Sequence, residues 1–149
     1  MEQDILNLPP ARFKVKNTEN RRLIWDVIRK KYLPLTPEEW VRQHVVHFLM
    51  HHKNVPTCRI LLERAVHTAQ KRSRFDIALT SSDGRFTALI ECKASTVKLD
   101  AAAVYQMQRY AYELRPELLV LTNGLQHLIF QWNDSGQSYH QIENLPDNL

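Results

Sequence analysis

Two carboxylates and one amine lie at the ends of two neighbouring apolar segments. Asp76 interrupts the first segment, whereas Glu91 and Lys93 flank Cys92 at the end of the second. Between the segments, Asp83-Gly84 favours the positive φ of a tight turn, so the sequence predicts an antiparallel hairpin. Side chains alternate along a strand. We therefore expect Glu91 and Lys93 on one face, meeting Asp76 at one end of the hairpin, with Cys92 packed on the opposite face.

These residue types are suited to chemistry with a divalent cation. Mg²⁺ takes oxygen ligands and keeps several waters, so two convergent carboxylates hold it without enclosing it. A lysine beside the ion can position a water molecule or stabilise charge that develops on a phosphate. A structural ion pair at a sheet edge would use the same residues, and the spacing alone leaves both interpretations open.

A capped helix is predicted ahead of the hairpin. Thr36 is the N-cap, Pro37 takes the first helical position, Glu39 completes a capping box, and the helix runs to about His52. At 100° per residue, Glu38 falls inside the apolar stripe, whereas Glu39 falls outside it. We therefore expect Glu38 to point toward the core and to be the third acidic residue of the site. Glu39 remains the alternative, and pairing with Arg42 is a structural explanation for Glu38. The stripe consists of Val41, Val45, Phe48 and Leu49.

Two further groups on this part of the chain have a chemical and a structural interpretation. The helix places His44, His47 and His51 on one lateral face, at spacings that zinc could use. Without an HExxH motif or a cysteine pair, a solvated face is expected instead. A basic cluster between residues 21 and 31, which includes Arg29, would either contact phosphates or form a solvated rim.

The remainder of the chain predicts a βαβ unit between shorter strands. Asp100 caps a helix from 101 to 114, and the apolar residues 118–122 form a buried strand parallel to the one ending near Glu91, through a right-handed crossover. Gln106 and Tyr110 share one face of that helix. Other strands are expected at residues 13–16, 23–28, 59–66, 125–132 and 139–142.

Composition indicates one domain spanning 1–149, with irregular segments at 1–12 and 144–149. The chain is 44% hydrophobic and 24% charged, values typical of globular proteins. No apolar run approaches the roughly 20 residues that cross a bilayer, and the N terminus has no signal-peptide pattern. We expect a cytoplasmic protein with two free thiols and no membrane partner. The net charge of +4 is compatible with a polyanionic partner but does not require one.

A family resemblance comes from five segments in order, residues 35–43, 74–77, 90–94, 106–111 and 119–124. Together they resemble the N-terminal nuclease domain of type I restriction enzyme R subunits, in a form found as small stand-alone bacterial proteins. This domain is part of the PD-(D/E)XK nuclease superfamily. The resemblance implies a single-domain α/β fold of the restriction-endonuclease type, with a central mixed sheet flanked by helices. Phe75 stands where the superfamily signature has Pro.

The resemblance also implies roles for individual residues. Asp76, Glu91 and Glu38 would be ligands of Mg²⁺ or Mn²⁺, with Lys93 as the catalytic lysine. Gln106 and Tyr110 match the QxxxY motif that helps to organise such sites and to contact DNA. The expected activity is metal-dependent hydrolysis of DNA phosphodiesters. The basic residues expected to hold the flanking phosphates are Lys71, Arg72, Arg74 and Arg109.

A second interpretation keeps the fold without the catalysis. The sequence contains no Walker A loop and no helicase motif, so the translocation that accompanies cleavage in complete restriction subunits has no counterpart in it. The chain would then be a non-catalytic module that binds nucleic acid or joins other protein subunits. An enzyme that is active only inside such a complex is a third possibility.

Overall fold

The computed structural model of the chain describes residues 4–67 and 72–149, with side chains at all of these positions except 66, 67, 72, 73 and 110. A three-stranded sheet comes first, then a helix, and then a six-stranded sheet interrupted by a second helix. The elements are β1 (Val15–Asn17), β2 (Arg22–Asp26), β3 (Lys31–Pro34), α1 (Pro37–His51), β4 (Ile60–His67), β5 (Arg72–Thr80), β6 (Phe86–Cys92), α2 (Ala101–Ala111), β7 (Leu118–Thr122), β8 (His127–Asn133) and β9 (Ser138–Ile142).

The large sheet is mixed, as the sequence predicted. Its strands follow chain order from β4 to β9, and every neighbouring pair is antiparallel except β6 and β7. Parallel neighbours need a long crossover, and α2 provides it. All five residues of β7 are buried, which explains their unbroken apolar character.

Local signals account for the ends of the helices. The Thr36 hydroxyl accepts a hydrogen bond from the Glu39 backbone N–H at 3.0 Å, and Pro37 occupies the first position of α1. The Asp100 carboxylate caps α2 by accepting from the Ala103 N–H at 2.8 Å. Both caps are where the sequence predicted them. Helix α2 ends at Ala111, three residues earlier than expected, and a turn follows it.

The core has two layers, one on each face of the large sheet. Helix α1 packs on one face through Val41, Val45, Val46 and Leu49, against alternate residues of the central strands that include Ile77, Ile90 and Val120. Met107 and Ala111 of α2 pack on the opposite face, against Ala78, Leu89, Leu119 and Leu121. Because strand side chains alternate, β6 and β7 contribute to both layers, and they fix the position of the residues at their C-terminal ends.

Several elements differ from the sequence expectation. Strand β3 was not predicted, and Arg59 belongs to a short 3-10 turn ahead of β4. Strand β2 ends at Asp26 because its carboxylate accepts hydrogen bonds from the Ile28 and Arg29 backbone N–H groups, which closes a turn. The basic segment predicted as a loop from 67 to 74 lies partly in strands, since β4 ends at His67 and β5 begins at Arg72. Lys71 lies outside the described residues.

The terminal segments are irregular within the described residues, and the C-terminal one is held against the rest of the chain. Lys53 donates to the Leu145 carbonyl at 3.1 Å, and Arg59 donates to the Leu149 carbonyl at 2.9 Å. Leu145 and Leu149 also pack against the core. Neither of the helices in the described part of the chain is long and apolar enough to cross a membrane.

Gly124 provides a test of how tightly the β7–β8 turn packs on α1. Its φ is +82°, and a Cβ there would lie 2.9 Å from a methyl of Leu6 and 3.2 Å from a methyl of Val41. Gly124→Ala should lower the free energy of unfolding by roughly 2 kcal/mol or more, through backbone strain and overpacking together. Urea denaturation measures the loss.

Gly84→Ala is the matched control. Gly84 has a φ of +85°, yet no atom of the described residues lies within 4 Å of the added methyl. That variant should lose only the backbone contribution of about 1 kcal/mol. Equal losses in the two variants would contradict the close packing around Gly124.

Candidate metal and catalytic site

The carboxylate of Asp76 is held at both of its oxygens. Its Oδ1 accepts from the Arg42 guanidinium at 2.7 Å, and its Oδ2 accepts from the Cys92 backbone N–H at 2.7 Å. The hairpin register pairs Ile77 of β5 with Ile90 of β6, so the next position along places Asp76 beside Glu91. The structure therefore brings together the two carboxylates that the sequence places about fifteen residues apart.

Glu91 and Lys93 form a half-buried pair beside Asp76. The Lys93 Nζ donates to Glu91 Oε1 at 2.8 Å, and the two side chains are 33% and 26% exposed. Burial raises the pKa of Glu91, and the negative charge of Asp76 raises it further. Burial acts to lower the pKa of Lys93, but the hydrogen bond and the charge of Glu91 outweigh it, so the net shift is upward. Lys93 therefore remains a cation beside two carboxylates.

The two acidic residues in the first turn of α1 show the opposite burial to the one that the sequence predicted. Glu39, not Glu38, is the buried one, and Glu38 remains 45% exposed. Glu39 can be buried because it accepts from Arg42 at 2.8 Å, from Gln43 at 2.9 Å and from Arg29 at 3.1 Å. Burial is also the largest influence on its pKa, which is raised. The prediction that Glu38 points toward the core is therefore wrong.

Glu38 nevertheless lies toward the site rather than away from it. Its negative charge contributes to raising the pKa of Glu91 and of Lys93. Its carboxylate is 3.5 Å from the Arg42 guanidinium, the i,i+4 pair that the sequence suggested. Glu38 is thus a solvent-accessible acid at the edge of the site, whereas Glu39 belongs to the buried support beneath it.

Arg42 has a more central position in the site than the sequence indicated. Its side chain is only 7% exposed, and it contacts four carboxylates: those of Asp76 at 2.7 Å, Glu39 at 2.8 Å, Glu63 at 3.4 Å and Glu38 at 3.5 Å. Two acids one turn ahead of it, at i−3 and i−4, were the available signal. A buried guanidinium needs negatively charged partners, and these carboxylates supply them.

Glu63 of β4 is a second residue that the sequence did not point to. Its φ is +51°, an unusual conformation for a residue with a side chain inside a strand. Its carboxylate accepts from Arg29 at 2.8 Å and from Arg42, and it also pairs with Arg74. These three cations hold the strained position directly across from Asp76 on the neighbouring strand.

Three of the remaining predicted residues are exposed in the described structure, and the other three lie wholly or partly outside it. Arg74 is largely exposed apart from its pair with Glu63, and Gln106 and Arg109 are exposed on α2. The side chains of Tyr110 and Arg72, and all of Lys71, lie outside the described residues. The expected contribution of these positions stays a prediction.

The histidine face of α1 is not the solvated surface that was expected. His44 is buried, with its ring packed against Phe13 and Trp40 and its Nδ1 2.9 Å from the Trp40 carbonyl. Burial lowers the pKa of His44, which favours the neutral ring. His47 is half-buried against Phe13, and His51 is exposed.

The donor set suits a hard divalent cation. In the part of the chain that the structure describes, no group of three or more His, Cys, Asp or Glu side chains is placed to hold a metal ion. Mg²⁺ commonly uses only one or two carboxylates and completes its shell with water. Asp76 and Glu91 meet that requirement, since an ionised carboxylate accepts about four hydrogen bonds and Asp76 uses two.

The fold and site define a class of α/β protein in which a mixed sheet carries paired carboxylates and a lysine at the end of a hairpin. Residues 37–146 match the model of the family described as type I restriction enzyme R protein N terminus, and the chain belongs to this family. The resemblance to the N terminus of type I restriction enzyme R subunits, identified from the sequence, is thereby confirmed. No curated protein and no solved structure gave a significant match.

Removing the charge of Glu91 should stabilise the fold near neutral pH. Because the pKa of Glu91 is higher in the folded than in the unfolded chain, its ionisation opposes folding. Glu91→Gln should therefore raise the free energy of unfolding at pH 7 by up to about 1 kcal/mol. The gain should vanish as the pH falls below the ordinary value of 4.5, where both chains carry a neutral side chain. Urea unfolding at pH 7 and pH 4 measures the difference.

Asp83→Asn is the control, because ionisation of Asp83 has the opposite effect on the stability of the fold. A hydrogen bond from the Ser81 hydroxyl, with others from Arg85, lowers the pKa of Asp83 to about 2. Its ionisation therefore favours folding, and its removal should not stabilise the chain at pH 7. A Glu91→Gln variant that is less stable than the wild type at pH 7 would contradict the inference that burial, together with the charge of Asp76, makes the ionised Glu91 unfavourable in the fold.

Proposed function

We propose that the protein is a metal-dependent nuclease of the restriction-endonuclease-like fold that hydrolyses DNA phosphodiesters. The observation that carries the proposal is the placement of Asp76 and Glu91 on adjacent strands, with the Lys93 amine 2.8 Å from Glu91. Membership of the restriction R protein N-terminus family supports a nuclease-related role in restriction. The same membership favours DNA as the substrate and other protein subunits as partners.

Asp76 and Glu91 would hold Mg²⁺ or Mn²⁺, with Glu38 as a further acid at the exposed side. When bound, the ion would lower the pKa of a water molecule and neutralise charge on the phosphate. The Cys92 N–H fixes the direction of the Asp76 carboxylate, so that one ligand is oriented before any ion arrives. The pairing of Glu91 with Lys93 keeps the second ligand in place in the same way.

Lys93 has the properties expected of the catalytic cation. It is charged, one third exposed and hydrogen-bonded to Glu91 through a single contact, so its amine can turn toward a phosphate oxygen. There it would stabilise the extra negative charge of the pentacoordinate transition state, or hold the attacking water. Its backbone N–H donates to the Thr122 carbonyl at 2.8 Å, which fixes the main chain from which the side chain extends.

Basic residues around the site would hold the flanking phosphates without reading sequence. Arg74 and Arg109 are exposed, and Lys71 and Arg72 lie close to Arg74 in sequence. Gln106 and Tyr110 would act from α2, as their match to the QxxxY motif implies. Such contacts supply a salt-dependent affinity that does not depend on base identity.

One observation favours the non-catalytic alternative. Arg42 already neutralises Asp76, at 2.7 Å and with little exposure to solvent, so the fold does not need a metal ion to offset that charge. A binding module that had lost catalysis would retain such a pair. The fold alone therefore does not distinguish a catalytic protein from a binding module. A measurement of metal binding does.

Substitutions at two positions should separate chemistry from folding. Asp76→Asn and Lys93→Ala should each reduce Mg²⁺-dependent cleavage of DNA by about a hundredfold or more, since Asp76 would hold the metal ion and Lys93 would act on the reacting phosphate. Cleavage of supercoiled, linear and single-stranded DNA, with RNA alongside, measures the loss. Circular dichroism verifies the fold.

Asp83→Asn and Lys98→Ala are the matched controls for charge and residue type. Asp83 lies in the exposed turn of the same hairpin, and Lys98 is an exposed lysine five residues after Lys93. Both should cleave as the wild type does. Undiminished cleavage by Asp76→Asn or Lys93→Ala would remove the site assignment.

Calorimetric titration with Mg²⁺ and Mn²⁺ decides between the enzyme and the binding module. The wild type should bind the ions, and Asp76→Asn should weaken binding at least tenfold, because a carboxylate ligand becomes a neutral amide. DNA affinity in the absence of metal should change little. A wild type that binds DNA but neither ion would favour the non-catalytic module.

A further inference from the structure

Arg42 places a permanent positive charge on a carboxylate that the proposed function assigns to the metal. We infer that Arg42 takes the place of a second metal ion at Asp76, so that the site holds one divalent cation and not two. This inference rests on the proposed function. In two-metal sites the ions lie about 3.5–4 Å apart, and a shared carboxylate commonly joins them.

Asp76 is the residue that would have to be shared, and neither of its oxygens is free of a partner. Oδ1 accepts from the Arg42 Nη2 at 2.7 Å, and Oδ2 accepts from the Cys92 N–H at 2.7 Å. A single ion can still use the remaining lone pairs together with Glu91. A second ion would have to approach Oδ1 against the guanidinium.

Arg42 is anchored and cannot simply swing aside. Its Nη1 donates to the buried Glu39 at 2.8 Å, and Glu39 is held in turn by Gln43 at 2.9 Å and Arg29 at 3.1 Å. Arg29 is itself fixed by the fully buried Asp26 at 2.6 Å. The Arg42 Nε is buried and has no hydrogen-bond partner among the described residues, so the guanidinium keeps this pose although that donor is unsatisfied there.

The charges around the site point the same way. Among the described residues, the charged side chains that ion pairs link to Asp76 and Glu91 carry a net charge of two negative units. They are six carboxylates, Asp26, Glu38, Glu39, Glu63, Asp76 and Glu91, and four cations, Arg29, Arg42, Arg74 and Lys93. One divalent ion would balance that charge, and a second would leave an excess of two positive charges. Loss of Arg42 would lower the net charge by one unit, whether no ion, one ion or two ions are bound. It would also leave Asp76 Oδ1 free to accept a second ion.

Mn²⁺ titration followed by electron paramagnetic resonance, which reports the free ion, counts the bound ions directly. The wild type should bind one Mn²⁺ per chain in an Asp76-dependent manner. Arg42→Gln should bind a second ion, or bind the first about tenfold more tightly, because a nearby positive charge is gone. Arg85→Gln removes the same charge from the exposed hairpin turn and should behave as the wild type.

Arg42→Gln leaves Glu39 buried with one cation fewer, which could prevent folding. The double variant Glu39→Gln with Arg42→Gln removes both members of that pair and should show the same gain in Mn²⁺ binding, with its fold checked by circular dichroism. Gain in either variant supports the inference.

The possible failures are distinguishable. Two Mn²⁺ ions bound to the wild type would overturn the inference while leaving the nuclease assignment intact. A folded variant without Arg42 that binds one ion at wild-type affinity would also overturn the inference. A wild type that binds no Mn²⁺ would remove the proposed function, and the inference with it.

Discussion

Several carboxylates packed around one buried guanidinium form the constraint on which the site depends. Desolvated acids repel one another, and each must be neutralised or hydrogen-bonded if the chain is to fold around them. Arg42 does this for Asp76 and Glu39 at 2.7 and 2.8 Å, and it reaches Glu63 and Glu38 at longer distances. Helix α1 is thereby tied to strands β4 and β5 by charge as well as by its apolar face.

The small N-terminal sheet takes part in the same network. Arg29 follows β2 and connects three acids, Asp26, Glu39 and Glu63, which lie on β2, α1 and β4. Such a residue is a structural cation and not the solvated rim or phosphate contact that a basic cluster suggests. The first sheet thus supports the site from behind, although none of its strands carries a residue assigned to the chemistry.

Structural features that depend on a few neighbouring residues could be predicted from the sequence. Features that depend on contacts between distant elements could not. The Thr36 and Asp100 caps, the hairpin turn at Gly84 and the parallel β6–β7 pair all follow from short patterns. The order of five segments was enough to recognise the family. Helical periodicity misassigned Glu38 and Glu39, however, because the partners that make Glu39 burial possible include Arg29, which comes from another element. His44 is a similar case, since Phe13, from the segment before β1, covers it.

Cys92 lies between Glu91 and Lys93 in the sequence, but its side chain is fully buried in the apolar layer beneath α1. Its backbone N–H serves Asp76 while its thiol faces the core, and burial raises the pKa of that thiol well above its ordinary value. Cys58 is exposed at the approach to β4. Maleimide reagents will consequently attach a fluorophore or spin label at Cys58 alone, giving a reporter on the native sequence that leaves the amide beside Asp76 untouched.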